Sequence, residues 1–288
     1  MSILQNERLD VLVRFHSFSR VKYLERAVFA LTCQSYPCVS VHILAQRFSD
    51  FELAGTLDLI KKFNHINPSI QWELHNYTQS EPADARSALI NLGIAKSRGR
   101  FLAFLDYDDT IYPHAYMMLI EEIRKSDASI AFARIVVKHE DVYKKINITT
   151  KKINPFPGKN LRDLFIDNCC PIHSFVVDRS KVDADDLFFD EALTRNEDYQ
   201  FLLRICAKYP SSFSCIGKTA GCYHLRNDGS NSILVPGSDS EENRNTWKMA
   251  ENEIDWCRRT LLVSEEVQRV HGIVPPISDL TISGFIRR

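Results

Sequence analysis

Phe101-Leu102-Ala103-Phe104-Leu105-Asp106-Tyr107-Asp108-Asp109-Thr110 is the stretch that decides how this chain is read. An apolar, strand-like run ends in three carboxylates, Asp106, Asp108 and Asp109, within four positions. In an open α/β sheet, ligands bind outside the carboxyl ends of the strands. Acidic side chains gathered there suit a divalent cation and a phosphorylated ligand. The plain alternative is an Asp-rich turn in which Asp109-Thr110 starts the helix that follows Pro113. Three carboxylates directly after a fully apolar strand favour the functional reading.

Upstream of this stretch, short apolar runs alternate with amphipathic segments. Strands are expected at Leu9 to Phe15, Val39 to Ala45, Ile70 to Asn76 and Arg100 to Leu105, and helices at Val21 to Cys33, Phe51 to Phe63 and Ala83 to Lys96. That alternation implies an α/β fold, a Rossmann-like, mostly parallel sheet covered by helices on both faces. Downstream the pattern is less regular. It gives a helix at Tyr116 to Lys125, a strand at Ala128 to Val137, and a polar stretch, Lys138 to Lys159, read as a loop. A short helix (Leu161 to Asp167), a strand (His173 to Val177), a helix (Asn196 to Lys208) and a strand leading to Tyr223 follow. Asp228 to Ser240, rich in Gly, Ser and Asn, is read as a mobile loop, and Glu241 to Leu262 as an amphipathic helix.

Composition narrows the function classes. A net charge of −1 over 288 residues gives no electrostatic case for nucleic acid or an anionic membrane. Met1 to Asp10 is polar and no apolar run reaches membrane-spanning length, so a cytoplasmic protein is expected. The eight cysteines form no Cys-x-x-Cys pair and read as reduced, structural thiols, and Asn147-Ile148-Thr149 is an idle glycosylation acceptor in that compartment.

Several local patterns line up in chain order. Val13-Arg14-Phe15-His16 runs into Tyr23-Leu24-Glu25-Arg26-Ala27 and Gln34-Ser35-Tyr36-Pro37. Asp84-Ala85-Arg86 and Asn91-Leu92-Gly93-Ile94-Ala95 precede the aspartate cluster. Glu197-Asp198 opens the late helix, and Tyr223-His224-Leu225-Arg226 precedes the Gly/Ser/Asn loop. This succession, collinear from about residue 9 to residue 232, resembles glycosyltransferase family 2, nucleotide-sugar enzymes with the A-type glycosyltransferase fold. The resemblance implies a catalytic domain over residues 1–235 and a C-terminal helical extension, 236–288, that binds the acceptor or a second subunit of a homodimer.

The resemblance also implies roles. In the first Asp-x-Asp pair, Asp106 would meet sugar hydroxyls and Asp108 a Mn²⁺ or Mg²⁺ ion, with Asp109 in support; an all-oxygen site suits these hard cations. The cation would act as a Lewis acid on the leaving diphosphate. An acceptor hydroxyl must lose its proton during attack, which assigns Asp198 as general base and Glu197 as an acceptor-binding or orienting group. Read without the family, the pair merely complements a helix N-terminus. His224 is assigned to the metal-diphosphate and Arg226 to phosphate oxygens, although the order Tyr-His-x-Arg here replaces the Tyr-Arg-x-His of many relatives. Arg86 falls where relatives touch the nucleobase or first phosphate, and Arg14 and His16 where they line the donor site. The main departure is Leu44-Ala45-Gln46-Arg47-Phe48-Ser49-Asp50, where relatives show Val-Asp-Asp-Gly-Ser. Gln46 can still read a base, but uridine specificity does not carry over.

The expected reaction is inverting transfer from a nucleoside-diphosphate sugar to a hydroxyl of a glycan or lipid-linked saccharide, in surface polysaccharide assembly. A lipid-linked acceptor would bring the protein to the inner membrane face as a peripheral protein. Two rivals stand beside this reading. Asp106-Tyr107-Asp108-Asp109-Thr110 also fits D-x-D-x-T, the nucleophile motif of haloacid dehalogenase-type, Mg²⁺-dependent phosphatases. A catalytically silent homologue that binds a glycan or a partner is the other.

Overall fold

Strand β1 (Leu9–Phe15) is flanked by β2 (Val39–Gln46), then β3 (Gln71–Tyr77), on one side and by β4 (Phe101–Asp106) on the other, all parallel. The computed structural model describes residues 7–144, 146–228, 231 and 241–288. Side chains alternate across a strand, and both faces here are buried. Val11 and Val13 join the cluster beneath α1 (Val21–Thr32) and α2 (Asp50–Asn64), with Leu24, Val28 and Leu59. Leu12 and Leu44 join the opposite cluster, with Leu89 of α3 (Arg86–Lys96). Arg14 therefore projects toward the α3 side. The chain fills β1, β2 and β3 outward and then returns to place β4 on the other flank of β1, which creates a switch point between β1 and β4.

Beyond β4 come β5 (Thr110–Ile111), α4 (Ala115–Ser126), β6 (Ile130–Val142), β7 (Asn147–Ile153), α5 (Leu161–Ile166), β8 (Phe175–Asp178), α6 (Glu197–Lys208) and β9 (Ser211–Arg226). They extend the sheet in the order β4-β8-β6-β9-β5. β8 is antiparallel to both β4 and β6, while β6 and β9 run parallel. Glu197 thus opens a helix on the face toward which Arg14 points, and Phe201 and Leu202 of α6 join Leu12 and Leu44 in one core.

Three sequence expectations need correction or placement. Lys138 to Lys159 is not a loop: β6 continues to Val142, and β7 pairs antiparallel with it. β7 is an edge strand whose five central residues are exposed, so no apolar alternation announces it, and lysines blunt its free edge. α3 begins at Arg86, not Ala83; residues 83–85 belong to the connection after the cis Glu81-Pro82 bond. The loop expected over Asp228 to Ser240 lies outside the described residues except at 228 and 231.

Helices α7 (Glu241–Thr260), α8 (Glu265–Val270) and α9 (Ile282–Ile286) send Ile254, Cys257, Val267, Ile282 and Phe285 into the same core as Leu12 and Phe104. All eight cysteines are free thiols and six are buried. Among the described residues no helix is long and apolar enough to cross a membrane.

At the amino end of the parallel unit, the buried Asp10 carboxylate accepts the N–H groups of Arg98 and Gly99, both at 2.6 Å. A Cβ on Gly99 would lie 2.6 Å from the Arg8 carbonyl oxygen and 2.8 Å from Asp10 Oδ1. Backbone cannot yield as a side chain can. Gly99→Ala should therefore lower stability by about 1–3 kcal/mol in urea unfolding; an unchanged midpoint would show that the turn relaxes freely.

Candidate active site

Arg14 and Asp106 are register partners at the ends of β1 and β4, so strand pairing alone brings them together. Arg14 Nε and Nη2 donate to the two Asp106 oxygens at 2.6 and 2.9 Å, and Nη1 donates to Glu197 Oε1 at 2.7 Å. One planar fork thus ties β1, β4 and the head of α6. Burial opposes charge on Arg14 and Asp106, yet Asp106 and Glu197 hold Arg14 well above its ordinary pKa, and Arg14 in turn holds Asp106 below the usual carboxylate range.

The Tyr-Leu-Glu-Arg-Ala segment of α1 supports the turn that follows. Arg26 donates to the Asp108 carbonyl at 2.9 Å, and Tyr23 lies under the Arg226 guanidinium, 4.6 Å from ring centroid to carbon. Gln34 donates to the Tyr112 carbonyl at 2.9 Å, which fixes the far side of the same loop. Arg226 Nη2 donates to Asp108 Oδ2 at 2.5 Å, and its side chain is fully buried. This corrects its assignment to phosphate oxygens: Arg226 positions Asp108 from behind.

His224 is also placed elsewhere than expected. Its Nδ1 pairs with Glu140 Oε1 at 2.5 Å and its Nε2 with Thr110 Oγ1 at 2.9 Å, and the buried side chain does not line the cavity where a diphosphate-bound ion would sit. Glu140, which the sequence left in a loop, is buried in β6 and also pairs with Arg26 at 2.8 Å. Burial opposes its charge, but the His224, Asn147 and Arg26 contacts prevail and hold its pKa down to about 2. Asp109 is buried and accepts the His224 backbone N–H at 3.0 Å. Burial, then the neighbouring Asp108 and Asp106 charges, push its carboxyl well above the usual range. Asp108, Asp109 and His224 do not bring three ligand atoms within 4.8 Å of one another. Of that expected metal set only Asp108 faces the cavity.

The cavity itself, about 340 Å³, opens over the carboxyl ends of β1, β2 and β4, a size at the low end of small-ligand sites. Arg14, His16, Gln46, Arg86, Asp106 and Asp108, residues the sequence assigned to the donor or the cation, line it. Arg20, Asp84, Leu89, Tyr107, Tyr223 and Asn231 line it as well and were not singled out. Tyr107 is the middle residue of the Asp-x-Asp stretch, and its hydroxyl accepts from Arg20 at 3.1 Å. Asp84 pairs with Arg86 at 2.8 Å. These could have been read as the polar neighbours of named motifs, whereas Asn231 carries no local signal. Gln46 donates to the Ala83 carbonyl at 3.1 Å. Next to it Arg47, in the left-handed region at φ 57°, grips the carbonyls of Gln79, Pro82 and Ala83, so the departure from the usual motif builds the cavity wall.

Glu197 and Asp198 do not line the cavity. Glu197 is buried, pairs with Arg14 at 2.7 Å and lies 4.0 Å from Arg86, so it meets the site through two guanidinium groups that line the cavity. Asp198 is half-buried, and its Oδ1 accepts the Tyr199 N–H at 2.8 Å. Burial, then the Glu197 charge, push its pKa up to about 7, against the pull of Arg14. A carboxylate tuned to that value suits proton transfer near neutral pH.

Residues 50–186 match the family model described as glycosyl transferase family 2. Over those residues the chain is similar to this family. A curated relative, the succinoglycan biosynthesis protein ExoO of Rhizobium meliloti (strain 1021), is 30% identical over 174 residues, 53% of this chain and 44% of that protein. The chain thus spans less than half the length of that relative. Among solved structures, S. aureus TarS 1-349 in complex with UDP-GlcNAc superposes with a TM-score of 0.55 at 15% identity, over 85% of this chain and 66% of that one. Mannosyltransferase PcManGT from Pyrobaculum calidifontis, in complex with GDP-Man and Mn²⁺, gives 0.53 at 12% identity, over 77% and 58%. The fold is the A-type glycosyltransferase fold. Asp106 accepts from Arg14 through both oxygens and lines the cavity as the ion-pair partner of that guanidinium.

Proposed function

We propose that this chain transfers a sugar from a nucleoside-diphosphate sugar to a hydroxyl of a glycan or lipid-linked saccharide, with inversion, in polysaccharide biosynthesis. The observation that carries the reading is the union of Arg14, Asp106 and Glu197 beside a cavity that also presents Asp108. The relatives named for succinoglycan biosynthesis, UDP-GlcNAc and GDP-Man support it.

Among the lining residues, Gln46 offers an amide and Leu89 an apolar surface to a nucleobase. Arg14, Arg20 and Arg86 set guanidinium charge around the space a diphosphate needs, and Asp106 faces the sugar. A divalent cation fits Asp108, since such ions are commonly held by one carboxylate together with substrate phosphates, and when bound it would stabilise the leaving diphosphate as a Lewis acid. Asp198 takes the acceptor proton, and Glu197 holds Arg14 in place while it does so. On the acceptor side, α7 brings Trp247 to Arg195, with 5.8 Å between guanidinium carbon and ring centroid, and Arg195 in turn lies 3.8 Å from Asp84. That supports an acceptor role for the C-terminal helices.

Calorimetric titration with UDP, GDP, dTDP and CMP, each with Mn²⁺ and with excess chelator, tests the reading. Cation-dependent binding of one nucleotide is expected; binding of none would reject it. Asp108→Asn should weaken that binding by about 10- to 100-fold with Mn²⁺ present. Unchanged affinity in a variant that still melts cooperatively would remove Asp108 from the cation.

A further inference from the structure

Away from the cavity, on the α3 side of the sheet edge, His42 of β2 and Glu73 and His75 of β3 converge. His42 and Glu73 are register partners, and His75 follows Glu73 by two residues, so strand alternation puts all three on one face. His42 Nδ1 lies 3.1 Å from His75 Nε2 and 3.8 Å from Glu73 Oε2, and His75 Nε2 lies 3.5 Å from that same oxygen. Ligands held at about 2.0–2.2 Å on a tetrahedral ion stand roughly 3.4 Å from one another, so this triangle already has the edge lengths of a metal face.

The structure assigns His42, Glu73 and His75 as a binding site for a Zn²⁺-class transition metal ion, distinct from the cation at Asp108. Two imidazoles and one carboxylate form a donor set that suits zinc better than Mg²⁺ or Mn²⁺. Among the described residues it is the one group of three such side chains with ligand atoms so close together. The support behind it is of the kind metal sites use. His42 is fully buried, and its other nitrogen, Nε2, faces the Asp10 carboxylate at 3.8 Å and Ser40 Oγ at 3.5 Å, groups that fix the ring. Asp10 is itself locked by Arg8, Arg98 and Gly99.

Access is from the outside edge. The Glu73 side chain is 48% exposed and that of His75 16%, so an ion reaches the site past Glu73, and a fourth position stays open to water. The site lies four residues along β2 from Gln46, roughly 13 Å from the cavity at 3.3 Å per residue. A bound ion would cross-link β3, the free edge strand, to β2. Its role is to pin the strand whose far end leads into the 79–83 wall of the cavity.

The full chain, stripped with chelator and dialysed into saturating Mg²⁺, is titrated with Zn²⁺ by calorimetry and with Co²⁺ by absorbance. One equivalent of each is expected, with a Co²⁺ ligand-field spectrum lacking a thiolate charge-transfer band, which excludes Cys33 and Cys38 as the binders. His75→Ala and Glu73→Gln, both partly exposed and tolerant of change, should weaken binding by about 10- to 100-fold or more, and Zn²⁺ should raise the melting temperature of the parent but not of His75→Ala. Absence of a stoichiometric event, a thiolate band, or affinity indifferent to both substitutions would overturn the site and leave a plain imidazole–imidazole hydrogen bond. None of these readouts depends on nucleotide binding, so the transferase reading stands or falls separately.

Discussion

Asp198→Asn should keep its fold and its donor affinity while losing roughly 10²- to 10⁴-fold in kcat, because proton removal from the acceptor is what the substitution abolishes. The neighbouring geometry does not rely on the Asp198 charge: Arg14 is held by Asp106 and Glu197. In the parent protein the rate should rise with pH through about 7, as Asp198 gives up its proton. The Asn variant's residual rate should lack that limb. Stability supplies an independent check on the same group. Between the ordinary value of 3.8 and about 7 the folded chain keeps a proton that the unfolded chain has lost, so this residue's contribution falls as pH rises across that window. Asn removes the fall, and the variant should therefore be relatively more stable than the parent above pH 7 than at pH 4. A variant with near-normal kcat would take Asp198 out of the base role.

How much of this was visible in the sequence depends on whether a feature is local. The four parallel strands and their helices were legible to within three residues at either end; β1, β2 and β4 are buried on both faces and read as short apolar runs, while the edge strand β3 alternates exposed and half-buried residues at its start. The cavity residues Arg14, His16, Gln46 and Asp106 were legible because they sit at or just past strand ends. What failed is non-local. His224 and Arg226 look interchangeable in a string of residues, yet they alternate with Leu225 on β9, and β6 decides their surroundings by placing Glu140 against His224. Glu140 and β7 were lost together, since a lysine-rich edge strand has the composition of a loop. The role of Glu197 emerged only when β1 and β4 paired Arg14 with Asp106 beside it.

Because three elements meet at one guanidinium, Arg14→Leu should be the most disruptive single change near the site, costing about 3–5 kcal/mol of stability at pH 7. The fork is nine-tenths buried, and its loss leaves Asp106 and Glu197, 26% and 5% exposed, without the cation that justifies their charges. Lowering the pH should narrow the gap between variant and parent. In the parent, Arg14 holds Asp106 below its ordinary pKa, so that contribution is present above 3.8 and fades as pH falls. In the variant, burial without Arg14 acts in the opposite direction and protonation relieves it. Arg14→Lys should retain charge but not the two-oxygen grip on Asp106, and should fall between parent and Leu variant. Adding Glu197→Gln to Arg14→Leu should restore part of the lost stability, since one buried charge disappears; additive losses instead would mean that Arg14 acts chiefly by packing. Denaturant unfolding of these four proteins and of Glu197→Gln alone, at pH 7 and pH 4.5, separates the outcomes. A Leu variant within about 1 kcal/mol of the parent at pH 7 would show that water repairs the site and that Arg14 is not what joins β1, β4 and α6.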